Sequence, residues 1–232
     1  MANINSLQPD RAEIIRFLQW LHPDTGAVVE LRAFNRRDVL SGYFDSPDAL
    51  ADAAMALPAT CSAVYVTLNR INPELIARRS NRVVICGQAG KDETTADSNV
   101  IRRTNLLIDI DPRRASGISS TDEKHAAAIA KAHVVADALS AEGAGRFLIA
   151  DSGNGAHVYF KRDTPHDDGG STARALKALA ARFDDDACQI DTAVFNPARL
   201  TKLIGTVARK GDNLPFFPHR LSRILRIGGG DA

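Results

Sequence analysis

The stretch Asn105-Leu106-Leu107-Ile108-Asp109-Ile110-Asp111-Pro112 decides how this chain is read. Its branched apolar run predicts a buried strand, and Pro112, with no N–H to give to a ladder, predicts where the strand stops. Side chains alternate along a strand, so Leu106, Ile108 and Ile110 share one face while Leu107, Asp109 and Asp111 share the other. The two carboxylates then project side by side, about 7 Å apart by the strand rise. At that spacing they repel and cost stability unless a cation sits between them, and magnesium or manganese are the natural occupants. The plainer reading is an apolar strand whose exposed end carries two solvated acids, and the dipeptide pattern alone serves both readings equally.

Working outward, 232 residues with 44% hydrophobic composition can bury a real core, as one large domain or two closely joined lobes. No run approaches the ~18 apolar residues of a membrane span, and the polar start Met1-Ala2-Asn3-Ile4-Asn5 lacks the layout of a secretion signal, so a cytoplasmic protein with no membrane partner is expected. Cys61, Cys86 and Cys188 are far apart and form no C-x-x-C pair, which predicts buried thiols rather than a disulfide framework or a zinc site. A net charge of +1 gives no global footprint for nucleic acid, so any such contact must come from local basic patches.

Along the chain, Asp10 with Glu13 three residues on predicts a capping box and a helix to about Leu21. Alternation predicts strands over 28–34 and 39–44, joined through Asn35-Arg36-Arg37-Asp38 as a hairpin. A helix follows from Ser46-Pro47 to about Ala56, then a strand over 62–68 and a helix from Asn72-Pro73 to near Arg79. Residues 80–99 are polar, with Gly87, Gly90, Asp92 and Glu93, and read as a long connection between lobes. Past Asp111, Ser120 with Glu123 predicts the cap of a helix to about Ala141, and Arg146 to Ala150 predicts a strand that turns through Ser152-Gly153-Asn154-Gly155 into another over 156–161. A helix is expected over 171–183 and strands over 188–193 and 199–207. The tail over 208–226 is basic, with Arg209, Lys210, Arg220, Arg223 and Arg226 against Asp212.

Two further stretches carry chemistry. In Ile149-Ala-Asp-Ser-Gly-Asn-Gly-Ala-His157, the turn frees N–H groups toward an anion, and Ser152 and His157 can donate a hydroxyl and an imidazole N–H to phosphate oxygens. An ordinary hairpin with a half-buried histidine explains the same residues, and a nucleophilic Ser-His pair would want the strand-to-helix elbow that is missing here. Then Asp191, in Gln189-Ile-Asp-Thr192, supplies a third acid, and Arg199 and Lys202 supply two cations. Three carboxylates from two strands can hold a pair of hard metals, and cations beside them can neutralise a triphosphate. Taken singly, Asp191 reads as a turn residue and the two cations as surface charge; their spacing of three puts them on opposite faces of an ideal strand, so a bulge or turn must intervene.

In order and spacing, Asp109-Ile-Asp111, Ser152-Gly-Asn-Gly-Ala-His157 and Asp191 resemble the three motifs of the archaeo-eukaryotic primase superfamily. Together with Asn196-Pro-Ala-Arg-Leu-Thr-Lys-Leu-Ile-Gly-Thr206, they are similar to the primase-polymerase branch of bacteria, plasmids and phages, over roughly residues 60–227. The resemblance implies an α/β (α+β), two-lobed catalytic fold with an RNA-recognition-motif-like sheet carrying the acids. It implies one catalytic domain over 1–232, with an N-terminal lobe to about 98 and a catalytic lobe over 99–227. It makes Asp109, Asp111 and Asp191 the catalytic ligands of two divalent ions, Mg2+ or Mn2+, and Ser152, His157, Arg199 and Lys202 the nucleotide contacts. The implied activity is that of a DNA primase and polymerase using ribo- or deoxynucleoside triphosphates on a single-stranded DNA template with a primer, in replication of a phage, plasmid or other mobile element, with a helicase as a possible partner. Arg102, Arg103, Arg113, Arg114 and the basic tail are the template candidates. Two alternatives stay open: a glycosyltransferase using the Asp-x-Asp pair, and a non-catalytic module binding single-stranded nucleic acid.

Overall fold

The computed structural model describes residues 7–35, 38–86 and 94–230. Helix α1 (Arg11–Leu21) starts at the expected cap: the Asp10 carboxylate accepts from the Glu13 N–H at 3.1 Å. Glu13 does not close a capping box. Its carboxylate accepts from the Ile224 N–H and lies 3.7 Å from Arg16, so it ties the first helix to the end of the chain. Strands β1 (Val29–Asn35) and β2 (Asp38–Phe44) form the expected hairpin, with Val29 opposite Phe44 and Asn35 opposite Asp38. Arg36 and Arg37 of its turn lie outside the described residues, as do residues 87–93 of the polar connection. Helix α2 (Pro47–Met55), capped by Ser46, leads to β3 (Ala63–Thr67). Pro73–Arg78 winds as a 3-10 helix rather than an α-helix, and β4 (Arg70–Ile71) and β5 (Val84–Ile85) are too short to leave a periodic signal.

The quoted stretch is the second half of β6 (Val100–Pro112). Helix α3 (Asp122–Ala141) is capped by Thr121, one residue later than expected, because both the N–H and the hydroxyl of Ser120 are bonded to Asn154. The hairpin of β7 (Phe147–Asp151) and β8 (Ala156–Pro165) and helix α4 (Ser171–Phe183) follow as expected, β8 running four residues further. Strands β9 (Cys188–Ile190) and β10 (Leu200–Lys202) are shorter than their predicted spans, and the tail forms β11 (Val207–Ala208), β12 (Arg220–Leu221) and β13 (Arg223–Gly228).

These strands build two large antiparallel sheets and a two-stranded β11-β12 ribbon in an α+β fold. One has the order β10-β3-β1-β2-β5; the other runs β13-β7-β8-β6-β4, with β9 also paired to β6. The first sheet thus draws an edge strand from late in the chain. One apolar cluster spans both sheets, with Phe17 and Leu21 of α1, Leu31 and Val66 of the first sheet, and Ile108 and Val158 of the second. Polar stitching crosses it as well. Asn105 Nδ2 donates to the Leu68 carbonyl at 2.8 Å, and Lys161 Nζ donates to the Leu21 carbonyl at 2.9 Å and to Asn105 Oδ1 at 3.0 Å. The open carbonyl end of α1 is thereby satisfied by the second sheet.

Between β7 and β8 the chain passes so close to β6 that a Cβ at Gly155 would overlap the Ile110 carbonyl. Gly155→Ala should therefore push the hairpin off β6 and cost about 1–3 kcal/mol, seen as a fall of several degrees in Tm; an unchanged Tm would show that the contact has room.

Candidate active site

Register creates the site. Asp109 of β6 pairs directly with His157 of β8, and by alternation Asp111 lies on the same face. His157 Nε2 is 3.4 Å from Asp109 Oδ1, and its Nδ1 is 2.8 Å from the Tyr159 hydroxyl, itself 2.6 Å from Thr201 Oγ1 of β10. A buried polar chain thus runs from the acid across to the other sheet. Burial pushes the Tyr159 phenol far up, so it stays a neutral hydrogen-bonding group. Asp191 follows β9 immediately; its N–H donates to the Asp109 carbonyl at 2.9 Å, and its Oδ1 accepts from the Ala193 N–H at 2.8 Å.

The two acids of β6 are tuned apart. Burial raises both, but at Asp109 the charges of His157, Arg199 and Lys210 outweigh it and hold the carboxyl below its usual range. At Asp111 burial is joined by repulsion from Asp109, and the Arg114 guanidinium at 3.4 Å does not fully offset them, so its pKa is raised. A cation between the carboxylates would relieve that repulsion.

Ser152 sits in a fixed turn: its N–H donates to the Gly155 carbonyl at 3.1 Å and its hydroxyl accepts from the Gly155 N–H at 3.2 Å. Gly153 adopts φ +93°, which an L side chain rarely adopts, and a Cβ there would lie 2.5 Å from the Ala208 Cβ. The turn is held from outside by groups the sequence reading missed. Asp151 Oδ1 accepts from the Gly153 N–H at 2.7 Å and lies 2.8 Å from His125 Nε2, while Arg220 donates to the Gly153 carbonyl at 3.2 Å. Of these, Asp151 had a signal in its place inside the motif, whereas Arg220 stood in the basic tail as a template candidate and is instead used within the fold, donating also to the Ser120 carbonyl at 3.0 Å and to Asp122 at 2.6 Å.

All seven expected catalytic and nucleotide residues, Asp109, Asp111, Asp191, Ser152, His157, Arg199 and Lys202, line one cleft of about 490 Å³ between the sheets. Arg199 precedes β10 and donates to the Ala193 carbonyl at 2.6 Å, which is how both cations reach one cleft despite their spacing. Its buried Nε has no partner, and neither does that of Arg114. Lys202 is buried and donates to the Val207 carbonyl at 3.2 Å; burial, with Arg209 nearby, pushes its ammonium down to about 7. The opposite wall carries Phe34 and Tyr65, whose rings meet edge to face at 5.8 Å. Burial and the charges of Asp109 and Asp111 raise the Tyr65 phenol. Sequence reasoning missed this wall, because β1 and β3 come to the acids only through the sheet-to-sheet packing.

The template candidates do not form one surface. Arg114 lines the cleft, and Arg113 donates to the Asp185 carbonyl and to Gln189 Oε1, both at 2.8 Å. Arg102 lies toward the other end of β6 and pairs with Asp163 at 2.7 Å. Arg103 needs correction: it is buried, with its guanidinium donating to the His166 and Phe195 carbonyls at 2.7 Å each, and is used inside the fold rather than offered to a strand of nucleic acid.

Among the described residues no three His, Cys, Asp or Glu side chains converge closely enough to hold a metal ion as they stand. The donor chemistry nonetheless fits one. Asp109 and Asp111 offer hard oxygens on one face of β6, their mutual repulsion is relieved by a cation, and the backbone of Asp191 is bonded to that of Asp109.

The sequence matches no protein-family model and no curated protein. The structure is similar to the archaeo-eukaryotic primase domain of the cyanophage S-2L primase-polymerase, with a TM-score of 0.53 and 16% identity over 97% of this chain and 95% of that one. The fold is that of an archaeo-eukaryotic primase domain. More distant likenesses are the primase RepB′ (TM-score 0.49, 12% identity, 93% of this chain, 56% of that one) and the polymerase domain of Mycobacterium tuberculosis ligase D in complex with DNA (0.44, 15%, 91% and 81%). No described helix of this chain is long and apolar enough to cross a membrane.

Lys202 gives a pH test of the site. Its pKa is lower folded than unfolded, so the unfolded chain binds the extra proton between about pH 7 and its ordinary value of 10.5, and stability rises with pH across that window. Lys202→Met should stabilise the free protein, more at pH 6 than at pH 9.5 in urea unfolding; a gain independent of pH would place the ammonium in water.

Proposed function

We propose that this chain is a template-directed nucleotidyltransferase of the primase-polymerase type. The observation that carries the reading is that three carboxylates, Asp109, Asp111 and Asp191, line one cleft of a primase fold together with His157, bonded to Asp109, and a buried Lys202 that has no carboxylate partner among the described residues. Asp111 beside Asp109 and Lys202 buried without a carboxylate both cost stability, and a metal-bound triphosphate is the ligand that compensates both.

In this reading Asp109, Asp111 and Asp191 would hold two divalent ions, Mg2+ or Mn2+. Bound there, such a pair lowers the pKa of an attacking 3′-hydroxyl and neutralises the departing pyrophosphate. The protein's own groups bind and orient. Asp109 and Tyr159 fix the His157 ring between them, which aims its Nε2 edge at the cleft, and a phosphate oxygen accepts from it. The Ser152 hydroxyl is held in its turn and reaches the same anion. Lys202 gains a proton as the triphosphate arrives, and Arg199 places a second cation beside it. Single-stranded DNA with an annealed primer is the second substrate, and ribo- or deoxynucleoside triphosphates the first. A setting in the cytoplasmic replication of a phage, plasmid or other mobile element, with a helicase as partner, belongs to the same proposal.

A second reading is a non-catalytic module for single-stranded nucleic acid, favoured by the fact that no three metal-ligand side chains converge among the described residues. Sugar-nucleotide transfer finds no support in this fold. Primer extension separates the readings: with template, primer, nucleotides and Mn2+ or Mg2+, the chain should extend the primer, and Asp111→Ala or Asp191→Ala should lower the rate at least 100-fold. Extension surviving Asp111→Ala, or absent with every ion and nucleotide, would sink the polymerase assignment. Nucleotide binding has its own signature. At pH 8 it should take up protons, read by calorimetry in buffers of different ionisation enthalpy, and Lys202→Met should weaken binding and remove the uptake; uptake unchanged in that variant would take Lys202 out of the phosphate clamp.

A further inference from the structure

The loop over residues 209–219 joins β11 to β12 and starts at the cleft. Arg209 and Lys210 line the cleft, and the charge of Lys210 favours the ionised forms of Asp109 and Asp111. Beyond them the loop is held at several points. Ser119 Oγ donates to the Lys210 carbonyl at 2.9 Å, and Gly211 (φ +70°) packs so tightly that a Cβ there would lie 2.8 Å from the Gly117 carbonyl oxygen. On the return, the His219 N–H donates to Asn213 Oδ1 at 2.9 Å and its Nε2 lies 2.9 Å from the Gly211 carbonyl oxygen.

At the tip, the Phe217 N–H donates to the Leu214 carbonyl at 3.0 Å and the Leu214 N–H to the Phe217 carbonyl at 3.4 Å. Pro215 and Phe216 are left as the two central residues of a tight turn, with φ of the first set by its ring. Phe216 is 79% exposed, beside a half-exposed Leu214. Leaving an aromatic face in water forfeits its burial, and a loop this firmly anchored holds it there rather than letting it fold back. A flat apolar ring at the tip of a held turn, on a loop whose first two residues are cations lining a cleft of acids, matches a ligand with flat faces and a negative backbone. Single-stranded nucleic acid is that ligand: stacking on an aromatic ring tolerates any base, and lysine or arginine follows the phosphates.

We propose that Phe216 is a base-stacking platform for the strand that enters the cleft, with Arg209 and Lys210 tracking its phosphates. This rests on the polymerase reading of the cleft and adds to it a strand contact outside the three motifs. The chain's single tryptophan, Trp20, is buried, so Phe216→Trp introduces a separable fluorophore. A single-stranded DNA oligonucleotide should quench it. Phe216→Ala should bind the same oligonucleotide about 5- to 100-fold more weakly by anisotropy, with the parent's Tm and an unchanged salt slope, because the ring carries no charge. Lys210→Ala should instead reduce the salt slope by about one. If the parent binds through Phe216 but extends no primer, the polymerase reading fails and the platform stands. Equal affinity in Phe216→Ala and parent, no binding by the parent, or tryptophan emission unmoved at saturation would overturn the platform, whatever the extension assay gives. So would loss of self-association in Phe216→Ala, by light scattering, with oligonucleotide affinity intact, since the ring would then belong to a contact between copies.

Discussion

The ladder between β6 and β8 is the constraint on which the rest of this structure depends. Asp109 stands opposite His157, and a slip of one residue would turn Asp109 and Asp111 into the apolar core and bring Ile108 and Ile110 to the cleft. The register is therefore fixed by the cost of burying two carboxylates as much as by the gain from burying isoleucine. Gly155 keeps it from the other side, since its missing side chain lets the turn lie against the Ile110 carbonyl.

A second layer of order comes from buried polar groups that join elements distant in sequence. The chain His157–Tyr159–Thr201 links the two sheets beneath the cleft, and Asn105 with Lys161 caps the end of α1 from the second sheet. Each such group is costly when unpaired and directional when paired, so together they fix how one sheet sits on the other more sharply than apolar contact alone. The cleft inherits that precision. Its acids come from β6 and the residue after β9, its aromatic wall from β1 and β3, and its cations from β10 and the loops around it.

Charge in the cleft is left unbalanced in both directions. Asp111 is raised by its neighbour's charge while Lys202 is lowered by burial, although opposite charges in direct contact would have stabilised each other. The fold keeps them on different sheets.

By itself the sequence determined what alternation, caps and turn residues dictate locally. The strand through Asp109, the cap at Asp10, the first hairpin, the turn through Ser152 and helix α4 were all legible, because each is settled by neighbours a few residues apart. The motif order also pointed to the primase fold. It was silent or mistaken wherever a distant partner decided. Glu13 bonds Ile224 instead of its own helix, Ser120 yields the cap to Thr121 because Asn154 claims it, and Arg103 is drawn inside by carbonyls at 166 and 195. Strands of two or three residues such as β4 and β10 are too short to show a period and exist only because a longer strand offers them an edge, while β12 pairs with the equally short β11. Likewise Phe34 and Tyr65 line the cleft with the acids only because long-range contacts set the sheets where they are. Local chemistry fixes which way a side chain points along its own strand; only packing between strands far apart in the chain fixes what it points at.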